Sequence, residues 1–186
     1  MRFHFHSFMF VFHYYFDFKI ERLSMNNVEL EAIRRLFFLT AFEAGRNVAI
    51  DETHPNGVSE CTWNRWEKGV KPIPERIERQ LKLLLSRREA EIQRITQNAQ
   101  AGAPLFALWY HSRHDCPPFF AHETDEPSVV DKKLSQSIAS AIVAQGGRVV
   151  PFDAEKFNAW QAQTQFSGCL RLAHERWAIA EYFEAA

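Results

Sequence analysis

Residues 57–74, GVSECTWNRWEKGVKPIP, place two tryptophans three positions apart inside a short polar stretch. Side chains three residues apart lie on one face of an α-helix, so Trp63 and Trp66 can anchor such a helix against its neighbours. Ser59 is a favoured N-cap residue, and Gly69 is a favoured helix terminator. The stretch therefore predicts a short helix that is buried on one side and polar on the other.

Helix caps and apolar spacing predict three further helices around this one. A first helix begins after Asn26 or Asn27, a second after Thr40, and a fourth at Pro74. Between the second and third helices, residues 50–57 (IDETHPNG) are rich in turn-forming residues. The apolar residues that give these helices an inward face are Leu30, Ile33, Phe37 and Ala41, then Ala44 and Val48, then Ile77, Leu81, Leu84, Ile92 and Ile95.

A short capped helix in third place is typical of a helix-turn-helix DNA-binding unit. Arginine can bridge O6 and N7 of guanine, and asparagine can bridge N6 and N7 of adenine, as Arg65 and Asn64 on the polar face would. Lys68, Lys71 and Arg46 are placed to meet phosphates, which fix register rather than sequence. Judged by spacing alone, a tryptophan-rich core helix whose polar face is simply solvated is as good an interpretation as a DNA-reading helix. The predicted DNA-binding residues are Ser59, Glu60, Cys61, Thr62, Asn64, Arg65, Lys68 and Lys71.

The same stretch resembles the signature of a known family. VSECTWNRWEKGVKPIP is similar to Xre/λ-repressor-type helix-turn-helix sequences, and it most resembles the YdiL-like and anti-CRISPR-associated (Aca) regulators. Residues 132–142, KKLSQSIASAI, match a helix of the same family's C-terminal domain. One departure is the turn at residues 50–57, which is longer than the usual three or four residues. The first match rests on Ser59, Trp63, Trp66, Glu67, Gly69, Ile73 and Pro74.

The resemblance implies a mainly α fold, with a λ-repressor-like helix-turn-helix domain followed by a small α/β dimerisation segment. We expect the DNA-binding domain over residues 25–96, a linker without periodicity over 97–104, and the C-terminal segment with an extra helical tail over 105–186. Dimerisation, also implied by the resemblance, would let two reading helices contact two half-sites of DNA. The C-terminal patterns predict strands at 105–110 and 148–152 and helices at 128–145, 154–165 and 169–184.

Residues 1–24 differ from the rest of the chain because they hold seven of its 17 phenylalanines. Three histidines and Asp17 interrupt the apolar run and no small-residue cleavage site follows, so neither a signal peptide nor a membrane span fits. A short strand and a histidine metal site are minor alternatives. Glu21 and Arg22 can be encoded by a ribosome-binding sequence shortly before Met25. We expect translation to begin at Met25 and residues 1–24 to be a mis-annotated leader rather than native protein.

Charge, cysteine content and motifs exclude several functional classes. A net charge of −1 excludes a strongly basic, histone-like binder but is compatible with a locally basic reading surface. Three widely spaced cysteines suit a reduced cytoplasmic protein better than a disulfide framework. The sequence contains no glycine-rich phosphate loop, nucleophile elbow or metal-hydrolase motif. We therefore expect neither an enzyme nor a bound cofactor.

Two groups of side chains have alternative interpretations. Glu67 could be a catalytic acid, but we expect it to pair with Arg34 or Arg35 and so close the domain. The loop after the first strand contains histidines and a cysteine that could bind zinc. Zinc ligands usually occur in pairs that are more closely spaced in the sequence, so we expect no metal there. The residues of that loop are His111, His114, Cys116 and His122.

The sequence thus predicts a cytoplasmic transcriptional regulator, a dimeric repressor that binds an inverted repeat in double-stranded DNA. The resemblance implies repression of a promoter near its own gene. The alternative is a protein-interaction module that keeps the fold without reading DNA, since a fold alone does not decide function. The leucines at positions 83–85 make the stripe of the fourth helix too wide for a two-stranded coiled coil, so we assign that helix to the DNA-binding domain.

Overall fold

The computed structural model describes residues 24–50, 52–119 and 128–184, and these are mainly helical with one small two-stranded sheet. This architecture confirms the predicted fold class. The expected leader, residues 1–24, lies outside the described residues except for Ser24. No helix among the described residues is long and apolar enough to cross a membrane. The elements are α1 (Asn27–Leu36), α2 (Ala41–Asn47), α3 (Glu60–Glu67), α4 (Glu75–Gln100), β1 (Phe106–Trp109), α5 (Val129–Ala144), β2 (Arg148–Pro151), α6 (Ala154–Thr164), α7 (Leu170–Ile179) and a π-helical turn (Ala180–Glu184).

The predicted caps begin the first three helices. The Asn26 side chain accepts a hydrogen bond from the backbone N–H of Glu29 at 2.9 Å, and the Glu29 carboxylate accepts one from the Asn26 backbone at 2.8 Å. Thr40 and Glu43 form the same reciprocal pair at the start of α2. Ser59 caps α3 by accepting from the backbone N–H three residues on. These bonds satisfy donors that a helix leaves unpaired, so the helix starts are set locally.

The fourth helix differs from its prediction at both ends. Pro74 is its N-cap rather than its first residue, and the helix runs on to Gln100. The first four residues of the expected linker, 97–104, are therefore helical. They lack apolar periodicity, but none of them breaks a helix, and α4 ends only where Gly102 adopts a φ of 100°. The connection to β1 is confined to residues 101–105.

One hydrophobic core runs from the first four helices into the C-terminal segment. Leu84 and Ile92 of α4 belong to the same buried cluster as Leu134 of α5. Arg88 of α4 donates from Nε to the Ser137 hydroxyl of α5 at 2.7 Å. Because α5 covers this side of α4, a fragment that ended in the expected linker would expose apolar surface to water. The two expected domains therefore share a core, and their independence stays a prediction.

The sheet organises the remaining helices on its two faces. β1 and β2 pair in parallel, with Phe106 opposite Arg148, and α5 is the crossover that a parallel pair requires. Alternate side chains of β1 point to opposite faces, so Ala107 joins the core shared with α5 while Phe106 and Leu108 enter a second cluster. The helical tail is thus packed onto the sheet. Its buried contributions to the second cluster are Phe157, Ala173, Trp177 and Ala178.

A histidine is enclosed within the second cluster. His174 is 2% exposed, and its ring stacks on Phe152 with the centroids 4.3 Å apart. Phe157 meets the same ring edge to face at 4.4 Å, and the Tyr110 hydroxyl lies 3.1 Å from His174 Nδ1. Burial lowers the pKa of His174 to about 4 and raises the pKa of Tyr110 well above its usual value. Both groups are therefore neutral at pH 7.

The free energy of unfolding should fall as the pH drops from about 6.5 to about 4. The unfolded chain protonates His174 near its ordinary pKa of 6.5, whereas the folded cluster resists protonation down to about pH 4. The free energy of unfolding therefore decreases across this window by up to about 3 kcal/mol, and His174 causes no further decrease below about pH 4. Urea unfolding at pH 7 and pH 4.5 measures the change. The same comparison in His174→Phe should be much flatter, and an equal pH dependence in both proteins would contradict the prediction.

Candidate nucleic-acid interface

The turn between α2 and α3 is long but closed at its base. It spans residues 48–59, and the Val58 N–H donates to the Gly45 carbonyl at 2.8 Å. Gly57 has a φ of 67°, and a Cβ there would lie 2.2 Å from the Gly45 oxygen. Only glycine permits this approach of the two backbones. Despite its length, the turn therefore leaves α2 and α3 packed together as in a helix-turn-helix.

The two tryptophans hold α3 as predicted. Trp63 has no exposed surface, and Trp66 is only 5% exposed. Their rings meet edge to face with centroids 5.6 Å apart, which is a favourable geometry for an aromatic pair. Both belong to the core cluster that includes Leu30 of α1 and Ile77 of α4. One side of α3 is thus fixed against the other helices, and the opposite side is turned to solvent.

Glu67 at the end of α3 ties the helix to α1. Its carboxylate accepts hydrogen bonds from Arg34 Nε at 2.5 Å, Arg34 Nη2 at 3.0 Å and Trp63 Nε1 at 2.6 Å. The hydrogen bond to Glu67 raises the pKa of Arg34. The predicted pairing of Glu67 with Arg34 is confirmed, while Arg35 pairs with Glu31 on the surface instead. Glu67 therefore pairs with Arg34 of α1 and with Trp63 of its own helix, and both contacts are structural.

The polar face of α3 forms a single surface. Glu60, Cys61 and Arg65 are exposed, and Asn64 is partly exposed. Together with Lys68, which is exposed at the end of the helix, they line one shallow groove that is open to solvent. The structure thus brings together five of the eight residues that the sequence predicted to contact DNA.

The other three predicted residues lie beside this groove. Thr62 N–H donates to Ser59 Oγ at 3.2 Å and the two hydroxyl oxygens are 3.1 Å apart, so both side chains serve the helix cap. Lys71 is exposed just beyond α3, where its backbone N–H donates to the Arg65 carbonyl at 3.1 Å. Within the part of the chain that the structure describes, Arg65, Lys68 and Lys71 form no ion pair. Their positive charges are therefore available to an anionic partner.

Arg46 adds a further positive charge near the end of α2. Its side chain is exposed, and its guanidinium group lies 5.8 Å from the centroid of the Phe42 ring. Its Nη1 donates to the carbonyl of Asn56 at 2.9 Å, which holds it against the long turn. The turn thus gives this arginine a defined position.

One contact that positions α3 was not predicted from the sequence. Asn27 is the first residue of α1, and its Nδ2 donates to the backbone carbonyl of Glu67 at 3.1 Å. The sequence signals only a helix start at this position, because the partner lies 40 residues further along the chain. α3 is therefore attached to α1 through both the side chain and the backbone of Glu67.

The loop after β1 was the candidate for a zinc site. Among residues 24–50, 52–119 and 128–184, no group of three or more His, Cys, Asp and Glu is arranged to hold a metal ion. His122, one of the four candidate ligands, lies outside the described residues. Cys116 is buried, and burial raises the pKa of its thiol to about 12. This thiol is therefore protonated at neutral pH.

Comparison with known proteins matches residues 25–150 to one family model, described as Aca2/YdiL-like. The chain belongs to this family. A curated relative, the Aca2 repressor of Pectobacterium phage ZF40, is 27% identical over 122 residues, which cover 66% of this chain and 96% of the relative. The Aca2/YdiL-like match contains both motifs that carried the resemblance, which is thereby confirmed. Helices α6 and α7 lie beyond it.

Proposed function

We propose that this Aca2/YdiL-like protein represses transcription by reading double-stranded DNA with α3. The observation that carries the proposal is the outward polar face of α3 on a helix whose other side is buried. In the major groove, Arg65 and Asn64 would meet base edges. Lys68 and Lys71 would contact phosphates and fix the register. Such a regulator acts in the cytoplasm and needs neither a cofactor nor a catalytic step.

We further propose that two copies bind an inverted repeat, paired through the C-terminal segment 105–186. One copy of α3 offers few contacts, whereas a pair doubles them and fixes the spacing of the half-sites. The continuous helix α4 supports this arrangement because it links the reading unit to the core shared with α5. A partner held on the C-terminal segment would therefore hold its own α3 at a defined distance.

The DNA upstream of the gene provides the most direct test. We expect an inverted repeat with half-sites about one helical turn apart, roughly 10 base pairs centre to centre. In a gel-shift titration, the full chain should bind a duplex with this repeat and discriminate against a scrambled duplex of the same composition. Equal affinity for both duplexes would favour the alternative, in which the fold serves as a protein-interaction module.

Replacing Arg65 with alanine should weaken specific binding by roughly 1–3 kcal/mol and leave thermal stability nearly unchanged. The side chain is exposed and makes no ion pair with another described residue, so its removal costs the fold little. Gel shifts on both duplexes and a melting curve measure the two effects. Arg176→Ala, at an exposed position of α7, is the matched control and should bind like the wild type. A loss of several kcal/mol, as expected when a buried aromatic side chain is truncated, would make Arg65 structural.

A further inference from the structure

A crevice separates the second half of α4 from α7 and from the segment that follows β1. It consists of an inner cavity of about 80 Å³ and an outer cavity of about 580 Å³, and both have Arg94, Arg171 and Glu175 in their walls. The DNA-reading surface does not use this crevice, and α7 lies outside the family match. The inner cavity is otherwise mostly apolar, with walls that include Phe106, Leu108, Phe119 and Ile138.

The carboxylates of the crevice are already paired, whereas one arginine is not fully satisfied. Arg94 donates to Glu91 at 2.8 and 3.0 Å and to Glu175 at 3.2 Å. Arg171 reaches Glu91 from Nη1 at 3.3 Å, and its guanidinium group lies 4.3 Å from the centroid of the Phe119 ring. The buried Nε of Arg171 donates to no acceptor in the part of the chain that the structure describes. Arg171, whose side chain is 34% exposed, thus lines the crevice with hydrogen-bonding capacity that Glu91 does not use.

An unpaired buried donor is unfavourable, and an acceptor that reaches it would relieve this. The planar fork of a guanidinium group is matched best by a carboxylate. Residues at the start of α7 also line the outer cavity, and the N-cap Cys169 makes no side-chain capping bond. The free N–H groups there add to the positive potential on the side of Arg171.

We propose that this crevice binds a small organic carboxylate. The carboxylate pairs with Arg171, and a compact apolar body occupies the inner cavity. That cavity exceeds several-fold the roughly 10–15 Å³ that a single water molecule needs. Its apolar walls favour a hydrocarbon body over further water, because burying apolar surface is favourable. The site lies between the tail and α4, so the tail helix α7 supplies the group that recognises the ligand.

Calorimetric titration of the full chain with benzoate tests the proposal. Benzoate joins a compact ring to a carboxylate, and benzamide is its neutral counterpart of nearly equal shape. We expect saturable binding of benzoate and about tenfold weaker binding of benzamide, because only the anion forms a charge-assisted pair with Arg171. The titration contains no DNA, so its outcome is independent of whether the protein reads an operator.

Two variants probe the two halves of the site. Arg171→Met removes the fork but keeps an unbranched side chain over Phe119, and it should weaken benzoate binding about tenfold or more. Arg176→Met, on the exposed side of the same helix, should bind like the wild type. Ser135→Val adds bulk to the wall of the inner cavity without changing a charge, and it should also weaken binding. Ser135→Val keeps the test decisive where Arg171→Met fails to fold.

Three results would overturn the proposal. The first is the absence of saturable benzoate binding to the wild type, and the second is equal binding of benzamide. The third is undiminished benzoate binding in either folded variant, Arg171→Met or Ser135→Val. Each of these results would mean that a bridging water, rather than a ligand, is the hydrogen-bond partner of Arg171.

Discussion

Replacing Trp63 with alanine should lower the free energy of unfolding by roughly 3–5 kcal/mol. The indole ring has no exposed surface and packs edge to face on Trp66, so its removal leaves a cavity that the surrounding helices fill only in part. The substitution also removes the N–H that donates to Glu67 at 2.6 Å, which leaves this carboxylate with Arg34 alone. A domain is usually stable by only about 5–15 kcal/mol, so the loss is a large fraction of the total.

Urea unfolding followed by circular dichroism measures this loss, and two other variants bracket it. Trp63→Phe keeps an aromatic ring in the core and should lose clearly less stability than Trp63→Ala. Arg65→Ala, from the opposite face of α3, should unfold at nearly the wild-type urea concentration. Equal losses in Trp63→Ala and Arg65→Ala would mean that the buried and outward faces of α3 are wrongly assigned.

The features that the sequence predicted correctly depend on residues close together in the chain. Asn26, Thr40 and Ser59 cap their helices by bonds to the residue three positions on, so each signal lies within one turn. The burial of Trp63 and Trp66 follows from helical spacing in the same way. The outward exposure of the polar face of α3 was predictable for the same reason, since it is the remainder of that helix.

The features that the sequence did not predict depend on residues that are distant in the chain or on the absence of a stop signal. The closure of the long turn requires Gly57 to approach Gly45, and neither glycine identifies the other in the sequence. The cluster around His174 joins the residue that follows β1, the segment after β2, α6 and α7, and no periodicity within α7 marks that histidine as buried. α4 continues through residues 97–100 because nothing there ends a helix, which an apolar pattern cannot reveal.

Operator binding by a paired repressor should weaken about a thousandfold between 50 and 200 mM salt. Each subunit exposes three cations that we assign to phosphate contacts, namely Arg46, Lys68 and Lys71. Two subunits bound together would then make about six such contacts, and the logarithm of affinity should fall with the logarithm of salt at a slope of about −5. A single subunit would give a slope of about −3 and a loss of roughly fortyfold over the same range.

Fluorescence titration of a labelled operator at several salt concentrations gives this slope, and light scattering of the full chain gives the mass. Lys68→Ala tests the assignment of contacts, because a dimer loses two of them at once and its slope should become shallower by about 2, against about 1 for a monomer. The same variant should weaken binding to specific and scrambled duplexes alike, since phosphates carry no sequence information. Arg65→Ala should instead reduce the preference for the operator. A slope near −3 together with a monomeric mass would rule out paired subunits, because the affinity would then come from a single copy of α3.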